Sequence, residues 1–240
     1  MSLQTLKGKA AVVTGGTRGI GYAIAKALVE EGADVLICGT RQQTVDSALA
    51  KLPPMGRATG VVADVAKLDH VQRMMATAKE TFGGIDILIN NAGIGYFATV
   101  ENMKTEQFEK MLATNLTGLF YCSREAVAIM RERGGGDIVN ISSLAGINPF
   151  MLGAGYNATK FAVNGFSEAM MLDHRYDGLR VSYVMPGSVD TEFGGPAGGG
   201  DWKILADDVA DATLAVLKMP RRTTISRIEI RPSMPPRKRS

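Results

Sequence analysis

The stretch AAVVTGGTRGIGYAIAKAL, beginning at Ala10, limits what this chain can fold into more than any other. Ala10–Val13 is a short apolar run that reads as a strand. Gly15, Gly19 and Gly21 form a turn, and Ile20, Ala23, Ile24, Ala27 and Leu28 then recur at helical spacing. A strand, a glycine turn and a helix N-terminus in that order make a βα unit. They also make a phosphate site, because glycine lets the backbone come close and the first helix N–H groups face an anion. The spacing TGxxxGxG departs from the GxGxxG of dinucleotide sites, and an ordinary βα turn that needs glycine reads the same way.

The alternation continues to the end of the chain. Strands are expected at 10–14, 34–38, 60–63, 85–89, 137–141, 179–185 and 225–230. Helices are expected at 19–31, 42–51, 67–82, 105–131, 156–176 and 207–218. The strands are short and continuously apolar, as when helices cover both faces of a sheet. Alternating β and α gives an α/β fold: one doubly wound domain, a parallel seven-stranded sheet with helices on both faces and ligands at the C-terminal strand ends. The domain is read as residues 1–231, with 232–240 a basic tail.

At 240 residues the chain suits one domain with a substantial core. No apolar run approaches membrane-spanning length and no signal-peptide core is present, so a cytoplasmic protein is expected. Cys38 and Cys122 lie in apolar contexts and read as core residues; the two His and two Cys are too scattered to ligate a metal. From Arg221 onward seven basic residues face one acid, Glu229. That segment holds no aromatic residue to stack on a base, so it reads as a solvated extension and not as a nucleic-acid surface.

Chemistry is carried by Ser143, Tyr156 and Lys160. Four residues are about one helical turn, so Tyr156 and Lys160 share a helix face. A phenol has a reference pKa of about 10, and a neighbouring cation favours the phenolate. A hydroxyl such as Ser143 can hold a substrate oxygen. The three together form a device for moving one proton onto or off an alcohol oxygen. Other candidates fall at strand ends: Thr14-Gly15, Thr40-Arg41, Asp64, the run Asn90, Asn91, Ala92 and Gly93, Ser142-Ser143, and Pro186-Gly187. In a doubly wound sheet those ends converge on one crevice.

TGGTRGIG, NNAG, Asn115, the Ser143/Tyr156/Lys160 spacing and MPGSVDT together resemble the short-chain dehydrogenase/reductase family, over about residues 7 to 231. The resemblance implies a Rossmann-type fold, a nicotinamide cofactor and hydride transfer to or from a carbonyl carbon. It implies a catalytic tetrad of Asn115, Ser143, Tyr156 and Lys160. Tyr156 would be the proton donor and Ser143 the oxygen stabiliser. Lys160 would lower the Tyr156 pKa and hold the nicotinamide ribose, and Asn115 would hold a water that links Lys160 to solvent. Ser143 is preferred to Ser142 because its gap to Tyr156 matches the family. The cofactor would lie along Gly15, Thr17, Arg18, Gly19, Ile20 and Gly21, then Thr40 and Arg41, then Asp64 and Val65, then Asn91, Ala92 and Gly93. Tyr156 and Lys160 would also touch it, and Pro186, Gly187, Val189 and Thr191 would pass the nicotinamide. Asp64 also suits a cap for the helix beginning near Lys67.

The bacterial 3-oxoacyl-carrier-protein-reductase group is the nearest resemblance within the family. Its members place an Arg before the Gly that ends the Tyr-bearing helix, where this chain has Asp177 before Gly178. An acyl-carrier-protein substrate is therefore an alternative, beside a small carbonyl or secondary alcohol. A non-catalytic nucleotide-binding regulator is an alternative of another class. NADP(H) is favoured over NAD(H): no carboxylate follows the second strand, while Arg18 and Arg41 suit a 2′-phosphate. Ile94, Tyr96, Phe97, Leu144, Phe150, Met151, Leu152 and Phe193 are candidate pocket walls. The glycine-dense stretch 194–200 reads as a flap between Phe193 and Trp202. Surplus apolar residues on the helices at 105–131 and 156–176, with the resemblance, imply a homotetramer or homodimer.

Overall fold

The computed structural model describes residues 4–193 and 200–235. Seven strands form one parallel sheet: β1 (Ala10–Val13), β2 (Asp34–Gly39), β3 (Ala58–Val62), β4 (Ile87–Asn90), β5 (Gly136–Ile141), β6 (Leu179–Pro186) and β7 (Arg227–Ile230). Their order is β3-β2-β1-β4-β5-β6-β7. The helices are α1 (Gly19–Glu30), α2 (Gln42–Leu49), α3 (Leu68–Phe82), α4 (Thr105–Leu112), α5 (Gly118–Glu132), α6 (Ala154–His174) and α7 (Ala206–Leu217). Every pairing is parallel. The order reverses between β1 and β4, which opens a crevice at their C-terminal ends.

Side chains alternate across the sheet and build two cores. Ala11, Val13, Val35, Ile37, Ile87, Ile89, Val139 and Ile141 pack with Ile24 and Leu28 of α1 and Val216 and Leu217 of α7. Val12, Leu36, Leu88 and Ile138 point the other way, onto Met74 and Met75 of α3 and Cys122, Ala126 and Met130 of α5. Both cysteines are buried and free. No helix among the described residues is long and apolar enough to cross a membrane.

The two edges depart from the expectation of strands covered on both faces. Val62 of β3 is 43% exposed, and Arg227 and Glu229 of β7 face solvent in alternation with half-buried Ile228 and Ile230. Edge strands lie beyond the helical layers, and charges on β7 blunt an otherwise open edge. The helix expected at 105–131 is α4 and α5 joined by a π-helical turn, Ala113–Thr117. The helix after Asp64 begins at Leu68, and its cap position is Lys67 with no side-chain cap. Asp64 accepts instead from the Ala66 N–H at 3.1 Å, a local turn that ends β3.

Candidate active site

The glycine turn is braced from β4. Thr14 Oγ1 accepts from the Asn91 and Ala92 N–H groups at 3.0 and 3.1 Å, and Asn91 Nδ2 donates to the carbonyls of Thr14 and Gly15. A methyl at Gly21 would lie 2.3 Å from both Asn91 Nδ2 and the Gly15 oxygen, so the turn closes only around glycine there. Asn91 and Ala92 are thus the support of the turn, while Gly93 lies beside Asn115 and Lys160. The N-terminus of α1 carries no side-chain cap and no acid in its first turn, which leaves its N–H groups facing the crevice. This fits a bound pyrophosphate.

The other expected cofactor residues follow the crevice. Thr17 packs against Gly39 at the end of β2, and Thr40 and Arg41 beside it are exposed. Arg18 Nη1 bonds Glu192 Oε2 at 2.9 Å, and Thr191 lies over Gly19, so the segment after β6 reaches across the turn. Val65 is 4% exposed, and a methyl on Gly118 would collide with both its side chain and its carbonyl, so it packs tightly against the start of α5. Val189 bridges to Ile204, which closes the base of the loop between them. Residues 194–199 of the expected flap lie outside the described residues.

Tyr156 stands in the first turn of α6, and Lys160 one turn on. Both are buried, at 8% and 5% exposed. The Tyr156 ring is enclosed by Phe97, Phe150 and Phe193 with centroids 5.7, 6.5 and 5.6 Å away. Burial pushes its phenol up to about 12, and a hydrogen bond with Ser143 pulls the other way. Burial also brings Lys160 down to about 8. In the free protein burial outweighs any lowering of the Tyr156 pKa by Lys160. The ammonium lies over the ring, 5.8 Å from its centroid, and donates to the Ile141 carbonyl at 2.9 Å. Desolvation therefore decides the state of both groups.

The two serines have different neighbours. Ser142 is buried and bonds Asn164 Oδ1 at 2.5 Å, beneath the site. Ser143 caps a short 3-10 turn, Leu144–Gly146, by accepting from the Ala145 N–H at 3.1 Å, and lines the cavity described below. Asn115 lies in the π turn, where the extra residue rotates its side chain out of the helical register. Its amide accepts from the Ile94 N–H at 2.8 Å and donates to the Ile94 carbonyl and Thr159 Oγ1 at 2.9 and 3.1 Å. The Asn115 amide ties the segment after β4 to α6 next to Lys160.

Two features escaped the sequence reading. Asn90 donates to Asn140 and Ser123, and Asn140 to Ser167, a buried ladder that locks β4, β5, α5 and α6 behind the site. The second is the far wall of a cavity of about 380 Å³ that opens beside Ser143. Leu144 and Phe150 line it as expected, but so do Asn148, Ser188, Arg231, Pro232 and Pro235. The described part of the segment, Arg221 to Pro235, is therefore not a solvated extension. Arg221 bonds Asp137, Arg227 approaches Glu168, and Arg231 pairs with Glu229. Residues 236–240 lie outside the described residues. The strand expected at 225–230 is β7, and its pairing with β6 is what carries Arg231 to the cavity. Met151, expected in the wall, is 88% exposed; Leu152 after it holds a left-handed φ of 65°, a strained turn that carries Met151 outward. Ile94 and Tyr96 pack instead with Met111, Ala145 and Tyr156.

The short chain dehydrogenase family model matches residues 9–199. The chain is 43% identical over 191 residues to a protein named 3alpha-hydroxysteroid dehydrogenase from Mediterraneibacter gnavus, covering 78% of this chain and 76% of the relative. It is 37% identical over 190 residues to Dehydrogenase/reductase SDR family member 4 of Oryctolagus cuniculus, covering 78% and 73%. Among solved structures, a short chain dehydrogenase from Burkholderia cenocepacia in complex with NADP superposes with a TM-score of 0.88 at 31% identity, covering 95% of this chain and 98% of the other.

Proposed function

This chain belongs to the short-chain dehydrogenase family and is an oxidoreductase, and from that premise we propose that it reduces a ketone with NADPH, or oxidises the matching secondary alcohol with NADP⁺. The observation that carries the reading is the buried Tyr156 hydroxyl beside Ser143, which itself lines an apolar cavity, with Lys160 buried one turn behind.

A nicotinamide bound along the crevice supplies or accepts the hydride. The protein's own part is the oxygen. Ser143 and Tyr156 together receive the substrate oxygen, and as negative charge builds there Tyr156 gives up its proton. With its pKa pushed up to about 12, the phenol is protonated at neutral pH, the state a proton donor needs. Lys160 adds positive charge behind the ring as the phenolate develops. The aromatic enclosure of Tyr156 keeps water from competing.

NADP preference is supported by the absence of a carboxylate beside Thr40 and Arg41 and by complexes of structurally similar proteins with NADP. Arg41 and Arg18 are the proposed partners of the 2′-phosphate. The Arg18–Glu192 pair is exposed on both sides, so it exchanges readily for a phosphate. Wild-type kcat/KM should favour NADPH over NADH, and Arg41→Asp should shrink that ratio by on the order of 10–100-fold, the worth of a charge-assisted hydrogen bond. Equal kcat/KM for the two cofactors in the wild type would sink the assignment. A panel of ketones with NADPH, followed by absorbance, tests the activity itself.

A large apolar body on the substrate is supported by Leu144, Phe150, Trp202, Pro232 and Pro235 around the cavity, and by the steroid named for one relative. A carrier-protein substrate has less support. Asp177 stands where the carrier-protein-reductase group has its Arg and is held by Arg131 and His174, and Arg133 is engaged with Asp86, which leaves exposed Arg175 as the candidate cation at the end of α6. Exposed Phe108, Phe120, Phe161 and Leu172 on α4, α5 and α6 support a homodimer or homotetramer. Light scattering at micromolar concentration should give a multiple of the chain mass; a monomer contradicts that.

A further inference from the structure

Among the described residues lining the cavity beside Ser143, Arg231 is the one that carries a charge. We propose that it is a specificity residue: the enzyme prefers a carbonyl or alcohol substrate that carries a carboxylate or similar anion at the end of its apolar body. This rests on the reductase reading of the same site.

The sheet register supplies the ruler. Ile141 pairs with Val184, so Ser143 stands level with Pro186, and Ser143 Oγ indeed lies 3.5 Å from the Pro186 oxygen. Pro186 pairs with Ile230, so Arg231 follows one residue beyond the same row. Two strand spacings separate the rows, about 10 Å. A guanidinium extending back over that gap meets an anion roughly 5–10 Å from an oxygen held at Ser143. The Gly187 N–H donates to the Ile230 carbonyl at 2.8 Å, and Pro232 packs near Gly187, so the Arg231 backbone is fixed on both sides.

The remaining lining sorts to match. Leu144, Phe150, Trp202 and the two prolines offer apolar surface between the ends, while Asn148 and Ser188 add neutral polar groups. Arg231 has Glu229 as its ion partner, at 2.8 Å, and both side chains are about half exposed. Such a pair contributes little, so a substrate carboxylate can replace Glu229 on the guanidinium's fork.

The test uses 8-oxononanoate, whose extended chain spans the expected separation, its methyl ester, and the shorter 4-oxopentanoate with its ester. The chain's one tryptophan, Trp202, lines the cavity, so its fluorescence reports binding without turnover in enzyme saturated with NADP⁺. The longer acid should bind about tenfold more tightly than its ester and show a similar advantage in kcat/KM with NADPH. The short acid should show none. Arg231→Gln should bring the acid to its ester's level, Arg231→Lys should keep part of the advantage, and Glu229→Gln should enlarge it. Equal binding of acid and ester by the wild type overturns the proposal. So does an acid preference that survives Arg231→Gln, or an unchanged one in Glu229→Gln. If no ketone is reduced while the acid preference in fluorescence follows Arg231, hydride transfer is wrong and the anion subsite stands.

Discussion

Tyr156→Phe is expected to lower turnover by at least ~10²–10⁴-fold while the variant still binds NADPH. The substitution removes one oxygen from a ring already packed by Phe97, Phe150 and Phe193, so the enclosure survives and the loss reports on the proton. Few substitutions in the chain separate chemistry from packing so cleanly, because the phenol is buried among aromatic neighbours and its Ser143 contact is the only hydrogen bond that shifts its pKa. Single-turnover absorbance together with cofactor titration measures both halves. Near-normal turnover on the best ketone would rule out the role given to Tyr156.

The second large effect is a trade between catalysis and stability at Lys160. Burial brings its pKa from 10.5 to about 8, so holding the protonated form inside costs on the order of 3 kcal/mol at pH 7. Lys160→Met removes that penalty and loses the bond to the Ile141 carbonyl, worth about 1 kcal/mol. The variant should be more stable than the wild type by about 2 kcal/mol at pH 7, and slower by on the order of 10²-fold. The sign with pH follows. Between about 8 and 10.5 the unfolded chain binds more protons at Lys160 than the folded one, so wild-type stability from this group rises and the variant's advantage shrinks. Reduction by the wild type should fall as pH rises through about 8, where Lys160 loses its charge. Urea unfolding at pH 7 and pH 10 checks the stability half. A variant no more stable at pH 7, or a gap that stays constant to pH 10, contradicts it.

The alternation of strands and helices was legible because each buried strand of the sheet centre is a short apolar run and each helix has its own period. Ser143, Tyr156 and Lys160 were legible because one turn of α6 and one strand end carry them. The π turn at Ala113–Thr117 was not, since a single extra residue in a helical ladder leaves the apolar pattern intact. Met151 failed because the positive φ of Leu152 has no signature in a non-glycine residue. Arg231 failed for a different reason. The strand-end rule that found Thr14, Asn91 and Ser143 applies equally to the strand expected at 225–230, but the basic residues around it drew attention to charge and not to the residue that follows the strand. The state of Lys160 and Tyr156 depends on desolvation, which no spacing in the sequence reports.

The central claim is that a hydride passes to a carbonyl carbon in the crevice where Tyr156 supplies the proton. NADPH carrying deuterium on one or the other face of the nicotinamide ring tests it directly, with a reduced ketone recovered and weighed by mass spectrometry. The account predicts an alcohol with one deuterium on the former carbonyl carbon from one labelled face and none from the other, and no labelled alcohol from Tyr156→Phe in the same time. NADPH consumption without deuterium on that carbon, or equal labelling by wild type and Tyr156→Phe, would contradict it.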